Sequence, residues 1–355
     1  VLSSVEIQQF RCIEHATLAL DPRGTGIVGP NASGKTSLLE AIFFLAHGRS
    51  FRTATRQRLI RRGCDFFRVV ARIEREERSL VASAEHGHGA TQMRLAGRGV
   101  SGVAEIAAVL PVQVIDPGVH RLIDEGSARR RRLVDWGVFH VKPGFLEQWR
   151  RYQRALTQRN AALREGLSPD IVNAWNRELI EPATFLDEAR REYVASLAPV
   201  FESLASTLLE ERVEVEYRRG WPDDVPLETA LAEARPRDLR LGTTTTGPHR
   251  ADLIIRVDGV LARDRVSRGQ QKLLASALIL AQIQATSSTG DSGRTCLLLD
   301  DPAAELDVDK LGKLLQAIQK IPAQLIVSSV SEAGLSGIDI GRRFHVEQGR
   351  FTQVL

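Results

Sequence analysis

The eight residues Gly29-Pro30-Asn31-Ala32-Ser33-Gly34-Lys35-Thr36 fit the pattern G-x-x-x-x-G-K-[ST]. This pattern works only between a strand and a helix. Thr25 to Val28 reads as a short strand and Ser37 to Ala46 carries a helical apolar pattern. Glycines let the backbone bend until successive N–H groups face phosphate oxygens. The following helix N-terminus adds partial positive charge there. Lys35 is placed to bridge the β- and γ-phosphates, and the Thr36 hydroxyl to ligate Mg²⁺. All eight residues are therefore candidates for binding a nucleotide. A chance glycine turn is the competing reading; the chain holds only six lysines, which counts against it.

Two further motifs fix the class. Thr295-Cys296-Leu297-Leu298-Leu299-Asp300-Asp301 is an apolar strand ending in acids, the Walker B pattern. Asp300 is the candidate Mg²⁺ ligand, directly or through water. Asp301 is the candidate general base for an attacking water. Taken alone, a buried strand ending at a helix cap would be the better reading. Ser267-Arg268-Gly269-Gln270-Gln271 opens a helix 33 residues before Asp300. It resembles the signature sequence of ABC-type ATPases, with Arg268 in place of one glycine. A serine hydroxyl, a glycine N–H and a helix N-terminus together form an anion site. The resemblance implies that Ser267, Arg268, Gly269 and Gln270 face the γ-phosphate of ATP held by another subunit.

The rest of the chain is organised around these motifs. Val1 to Phe10 and His15 to Leu20 read as a hairpin. Phe66 to Ile73, Leu80 to Glu85 and Thr91 to Ala96 read as strands, with His86-Gly87-His88-Gly89 as a hairpin turn rather than a metal site. Residues 127 to 212 turn helical, with apolar positions three or four apart from Trp175 to Leu208. Pro182 and Pro199 are expected to break or kink that helix. After residue 240, strands at 251–258, 295–299 and 324–328 alternate with helices at 269–286 and 308–320, which predicts a parallel sheet with crossover helices. The fold class expected is α/β, with a compact helical lobe too short for a long coiled coil; the resemblance of the motifs to ABC-type ATPases implies a P-loop ATPase head with that lobe inserted. The head is expected over 1–112 and 245–355 and the helical lobe over 113–244, with the signature at 267–271 near the junction.

Composition removes other classes. No apolar run approaches the roughly 20 residues that span a bilayer, and the first residues lack the order of a secretory signal. Cys12, Cys64 and Cys296 form no metal-binding spacing, and so sparse a set suits a reducing cytoplasm. Net charge is +4, and 42 of the 48 basic residues are arginine. Arginine suits phosphate, but a GC-rich genome gives the same bias. Arg129 to Arg132 reads equally as a phosphate contact and as a solvated helix face.

Nearly the whole chain resembles the RecF family of bacterial recombination ATPases. The resemblance rests on Phe10-Arg11, Gly48-Arg49-Ser50-Phe51-Arg52, and Leu133-Val134-Asp135-Trp136-Gly137-Val138-Phe139-His140. It rests also on Thr246-Gly247-Pro248-His249-Arg250-Ala251-Asp252-Leu253, Ser267 to Lys272, and Asp300-Asp301 followed by Ala304-Glu305-Leu306-Asp307. Gly118 stands where an acid is usual. The resemblance implies a weak Mg²⁺-dependent ATPase forming an ATP-sandwiched homodimer. It implies binding to double-stranded DNA and to single-strand/duplex junctions or gaps. It implies work with RecR and RecO to place RecA, in the cytoplasm at the nucleoid and away from membranes. Arg11 would reach the nucleotide, Asp307 would lie in the loop that crosses the dimer interface, and Gln113 would link the lobes. Ser328 and Ser329 stand where other ABC proteins place a γ-phosphate-sensing histidine. The alternatives are the nucleotide-binding subunit of an ABC transporter, an SMC-like chromosome organiser and a P-loop small-molecule kinase.

Overall fold

A computed structural model describes residues 1–75, 78–287, 294–304 and 306–354. Along the chain the elements begin with β1 (Leu2–Phe10), β2 (Ile13–Ala19), β3 (Gly24–Val28) and α1 (Lys35–His47). Next come β4 (Phe66–Arg75), β5 (Arg78–Gly87), β6 (Ala90–Leu95), β7 (Arg98–Gly99), α2 (Ala104–Val109) and β8 (Val112–Ile115). A helical stretch follows: α3 (Arg121–Asp124), α4 (Ser127–Val141), α5 (Phe145–Arg164) and α6 (Pro169–Leu209). Then come β9 (Val213–Arg218), α7 (Leu227–Leu241), β10 (Asp252–Val257), β11 (Val260–Leu261) and α8 (Ala262–Arg265). The chain closes with α9 (Arg268–Ser287), β12 (Thr295–Asp300), α10 (Val308–Gln319), β13 (Ala323–Ser329), β14 (Arg342–Glu347) and β15 (Arg350–Val354).

These elements form two units, Val1–His120 with Lys272–Leu355, and Arg121–Gln271. The first holds two sheets. One is antiparallel in the order β2-β1-β4-β5-β6-β7; the other runs β15-β14-β3-β13-β12-β8, with β14, β3, β13, β12 and β8 parallel. Helix α1 touches strands of both sheets. It is accordingly apolar nearly all round, as a helix without a solvent face must be: Leu38, Leu39, Ala41, Ile42, Phe44 and Leu45 are at most 1% exposed. Phe44 and Phe10 each meet Phe67 edge-on, at 5.0 and 4.9 Å between ring centres. This core packs both sheets along α1, the helix that the P-loop leads into.

The second unit is a helical lobe that carries its own sheet, β11-β10-β9. Strand β10 is antiparallel to both neighbours and takes no part in the parallel sheet expected after residue 240. The borders at 120/121 and 271/272 differ from those read in the sequence. Two pairings account for this. Val112–Ile115 pairs in parallel with β12, which keeps it in the first unit, and β9 holds β10 with the helices.

Pro182 and Pro199 do not break α6, which runs for 41 residues with both inside it. A proline forfeits one helix hydrogen bond. Here the apolar face of α6, including Leu179, Ala183, Leu186 and Leu197, is buried, and that burial outweighs the local loss. The runs that carry the family resemblance are clasps within this unit. Asp135 forms a forked pair with Arg190 at 2.7 and 3.0 Å. A Cβ on Gly137 would meet the Tyr193 hydroxyl at 2.1 Å, so only glycine fits. Gly247 has φ +131°, and His249 next to its turn bonds Tyr152 and the Thr244 carbonyl.

Candidate nucleotide site

The P-loop follows β3 and ends as α1 begins. Pro30, Asn31 and Ala32 form an exposed crest, and Ser33, Gly34 and Lys35 are buried beneath it. Ala32 and Gly34 have positive φ, +62° and +121°. A Cβ on Gly29 would lie 2.2 Å from the Val346 carbonyl, so the loop can start here only with glycine. The loop rests on the β14–β15 turn, where the Gly349 N–H donates to the Ser33 carbonyl at 2.7 Å. Gly349 was not singled out in the sequence; its signal is a glycine inside a two-residue hairpin loop.

Helix α1 has no side-chain cap at its N-terminus, which leaves its first N–H groups to an anion. The Ser33 hydroxyl is buried with no partner among the described residues. Lys35 donates from Nζ to the carbonyls of Gly29 (2.6 Å) and Pro30 (2.8 Å). Burial holds its pKa below the ordinary lysine value, against the pull of Asp301 and Asp300. A cation already desolvated, an orphaned hydroxyl and an uncapped helix start all suit a phosphate chain.

The Walker B acids meet the P-loop directly. The Thr36 hydroxyl donates to Asp300 Oδ1 at 2.9 Å, so the two expected Mg²⁺ ligands are adjacent. Ser328, on β13 beside β12, also donates to Asp300 Oδ1, at 2.7 Å. The same hydroxyl accepts the Asp301 N–H at 3.1 Å. Burial raises the Asp300 pKa; the bonds from Ser328 and Thr36 and the charge of Arg52 oppose it. Two oxygen donors side by side, one a carboxylate, fit a hard divalent cation.

Arg11 turns to α1, where it forks onto the buried carboxylate of Glu40 at 2.9 and 2.8 Å. Ser50 donates to the same carboxylate, and Arg52 lies 3.7 Å from it. Glu40 has no sequence signal, because a fully buried acid on an apolar helix becomes visible only with its partners. Gln113, on β8, donates to the Gln282 side chain at 2.7 Å. Lys272 is buried and donates to the Ala304 carbonyl in the loop after Asp301. Asp307 caps α10 by accepting the Lys310 N–H at 2.8 Å. Glu305 lies outside the described residues.

In the second unit the signature forms a reciprocal cap at the start of α9. Gln270 Oε1 accepts the Ser267 N–H at 3.0 Å, and the Ser267 hydroxyl faces the Gln270 N–H at 3.4 Å. Gly269 lies between them in the first turn of α9, and Arg268 is the helix's first residue. Glu211, just past the C-terminus of α6, accepts from Gln270 Nε2 at 2.9 Å and from Arg265 at 2.6 Å. Nothing in the sequence marks Glu211, which lies 56 residues before Ser267.

The four-arginine run is mostly internal wiring. Arg130 forks onto Asp252 at 2.8 and 3.0 Å, and Arg131 donates to the Ala251 carbonyl at 2.7 Å. Arg129 pairs with Glu125, and Arg132 bonds the Ala128 carbonyl one turn back.

A Vibrio vulnificus protein named DNA replication and repair protein RecF is 39% identical over 99% of both chains. The chain belongs to the RecF family. A Yersinia pestis protein of the same name is 40% identical over 98% of both chains. The family model for the RecF/RecN/SMC N terminal domain matches residues 1–350. In fold, the chain is similar to the recombination mediator protein RecF solved with ATP, with TM-score 0.88 at 23% identity over 100% and 97% of the two chains. An Smc head bound to the C-winged helix domain of ScpA is more distant, with TM-score 0.61 at 17% identity over 99% and 97%. The α/β head fold expected of the family is thus the fold of this chain. Among the described residues no helix is long and apolar enough to cross a membrane.

Proposed function

We propose that this protein is a RecF-type ATPase of recombinational DNA repair, binding DNA at gaps or single-strand/duplex junctions as an ATP-sandwiched dimer. One observation carries the ATPase reading: the 2.9 Å bond that joins Thr36 to Asp300, with Ser328 fixing both Asp300 and the Asp301 backbone. Relatives named for DNA replication and repair supply the biological setting.

Lys35 and the first N–H groups of α1 hold the phosphates, and Arg11 lies one turn from them on Glu40. Thr36 and Asp300 would hold Mg²⁺, which when bound neutralises phosphate charge and polarises the γ-phosphate. Asp301 orients a water and accepts its proton. Ser267 and Gly269 of the second subunit close the site, so neither copy hydrolyses alone. Most ABC proteins place glutamate where Asp301 stands; aspartate is one methylene shorter, and slow turnover follows. Loss of the γ-phosphate removes the link between subunits and releases DNA. RecR and RecO are the partners, and placing RecA on gapped DNA in the cytoplasm is the outcome. The transporter reading is disfavoured, because the family match covers the helical lobe as well as the head.

The test is the steady-state ATPase rate against protein concentration, with and without gapped duplex DNA. The expected rate per subunit rises with both. A rate indifferent to both, from a chain shown to be monomeric, would refute the composite site.

A further inference from the structure

The segment that follows α1 holds six arginines, at 49, 52, 56, 58, 61 and 62, and no acid between Gly48 and Asp65. Its backbone is held at both ends. Ser50 accepts the N–H groups of Arg52 and Thr53 at 2.8 and 3.0 Å, and its own hydroxyl donates to Glu40. Further on, Leu59 is fully buried, the Arg11 N–H donates to its carbonyl at 2.7 Å, and the Arg61 N–H donates to the Gln9 carbonyl at 2.8 Å. Between these anchors, a single 3-10 turn, Arg56–Leu59, carries its arginines on the surface.

Three of the six cations are occupied. Arg49 lies over the Phe43 ring, Arg52 is near Glu40, and Arg61 pairs with Glu14 at 3.2 Å. Arg56, Arg58 and Arg62 are exposed, and no ion pair among the described residues takes them. Three unneutralised cations within seven residues repel one another, and burial explains none of them. The contrast with Arg129 to Arg132 is direct: that run is denser in sequence, yet two of its members are spent on Asp252 and the Ala251 carbonyl.

We propose that the arginine segment Arg49–Arg62 is a contact surface for the phosphate backbone of nucleic acid, engaged through Arg56, Arg58 and Arg62. A polyanion with closely spaced charges neutralises all three at once, and each guanidinium fork accepts phosphate oxygens in pairs. A backbone clamped at both ends presents them with little ordering cost. Contacts to phosphate position a protein on nucleic acid without reading bases, so affinity at this surface is expected to be indifferent to sequence. The inference rests on the DNA-binding reading above and assigns it a place.

The experiment compares the full-length wild type with R56A/R58A/R62A on a random-sequence duplex, by anisotropy over a salt series with ATP present. Each phosphate contact contributes about 0.9 to the slope of log K against log salt. The triple alanine variant is expected to lose about 2 to 3 from that slope and at least about ten-fold in affinity at moderate salt. R56K/R58K/R62K should keep most of the slope, and unchanged nucleotide affinity in both variants would show that the fold and P-loop are intact. If the wild type binds DNA and the alanine variant has the same slope, the surface is elsewhere and the inference falls while the DNA reading stands. If the wild type binds no duplex but binds polyglutamate through these arginines, the partner is an acidic protein and both fall.

Discussion

Asp301 sits at φ +48°, a left-handed conformation uncommon outside glycine and tolerated best by aspartate and asparagine. That fact makes Asp301→Asn a clean probe. Asparagine keeps the backbone and the N–H bond to Ser328, and removes only the basic oxygen. The expected loss in hydrolysis rate is about 10²- to 10⁴-fold, with ATP binding retained and an ATP-bound dimer accumulating in size-exclusion runs. A variant that turns over at the wild-type rate would remove Asp301 from the role of base. His249 offers a test of a different kind. Its Nε2 must carry a proton to donate to the Thr244 carbonyl, so Nδ1 accepts the Tyr152 hydroxyl, and the ring is neutral. Burial pushes its pKa down to about 4. Because the unfolded chain takes up a proton near pH 6.5 and the folded one does not, this contribution to stability is whole above pH 6.5. It is lost as the pH falls towards 4 and reaches up to about 3 kcal/mol. Denaturation midpoints measured between pH 4 and 8 should therefore fall on the acid side, and His249→Gln should flatten that fall; an equally steep fall in the variant would place the titrating group elsewhere. Of these residues the sequence marks Asp301 by its motif, whereas His249 stands out only through a family resemblance. Its hydrogen-bond partners lie 97 and 5 residues away, and only the fold brings the distant one near.

At the scale of elements, what was legible follows from range. The P-loop, the Walker B strand and the signature are each local patterns, and each lies on the strand or helix its pattern demands. The apolar patterns at 37–46 and 295–299 located α1 and β12, whose ends lie at most two residues further out, at Lys35–His47 and Thr295–Asp300. Long-range pairing was not legible: β10 reads as one more strand of the parallel sheet, and only its pairing with β9 moves it to the helical lobe. The prolines of α6 misled for a related reason, since a local cost of about 3 kcal/mol each is set against burial that local reading does not see. Glu211 is the functional consequence of such pairing. It stands where α6 ends and holds Gln270, whose amide side chain in turn accepts from Ser267. Glu211 therefore ties the end of α6 directly to the signature. Its bonds are partly exposed and contribute about 0.5 to 1 kcal/mol per copy. Two copies act in a dimer, so Glu211→Ala should weaken ATP-dependent dimerisation about 5- to 30-fold while leaving ATP affinity of the single subunit unchanged. Sedimentation at several protein concentrations separates these. Dimerisation as tight as in the wild type would reduce Glu211 to a surface pair.

For the whole molecule, the decisive property is that the groups proposed for hydrolysis fall in two sets on one chain, Lys35, Thr36, Asp300 and Asp301 in one unit and Ser267 and Gly269 in the other. In the proposed sandwich each site takes the first set from one subunit and the second from its partner. Lys35→Met disables the first set and Ser267→Arg the second, and each variant alone should be inactive. Mixed in equal amounts, half the dimers are hybrids, and in each hybrid one site combines both lesions while the other combines none. The mixture should therefore recover about one quarter of the wild-type rate if the two sites fire independently, and about none if they must fire together. Recovery of about one quarter places the signature opposite the partner's P-loop once ATP-dependent hybrids are shown by cross-linking; no recovery is expected both of coupled sites and of sites completed within one chain. Hydrolysis by Ser267→Arg alone at the wild-type rate would instead remove Ser267 from the site. The charge of the molecule enters through the same experiment. With DNA present the hybrids gain two basic segments, one on each subunit, so duplex long enough to touch both should raise the recovered rate at low salt and lose that effect at high salt.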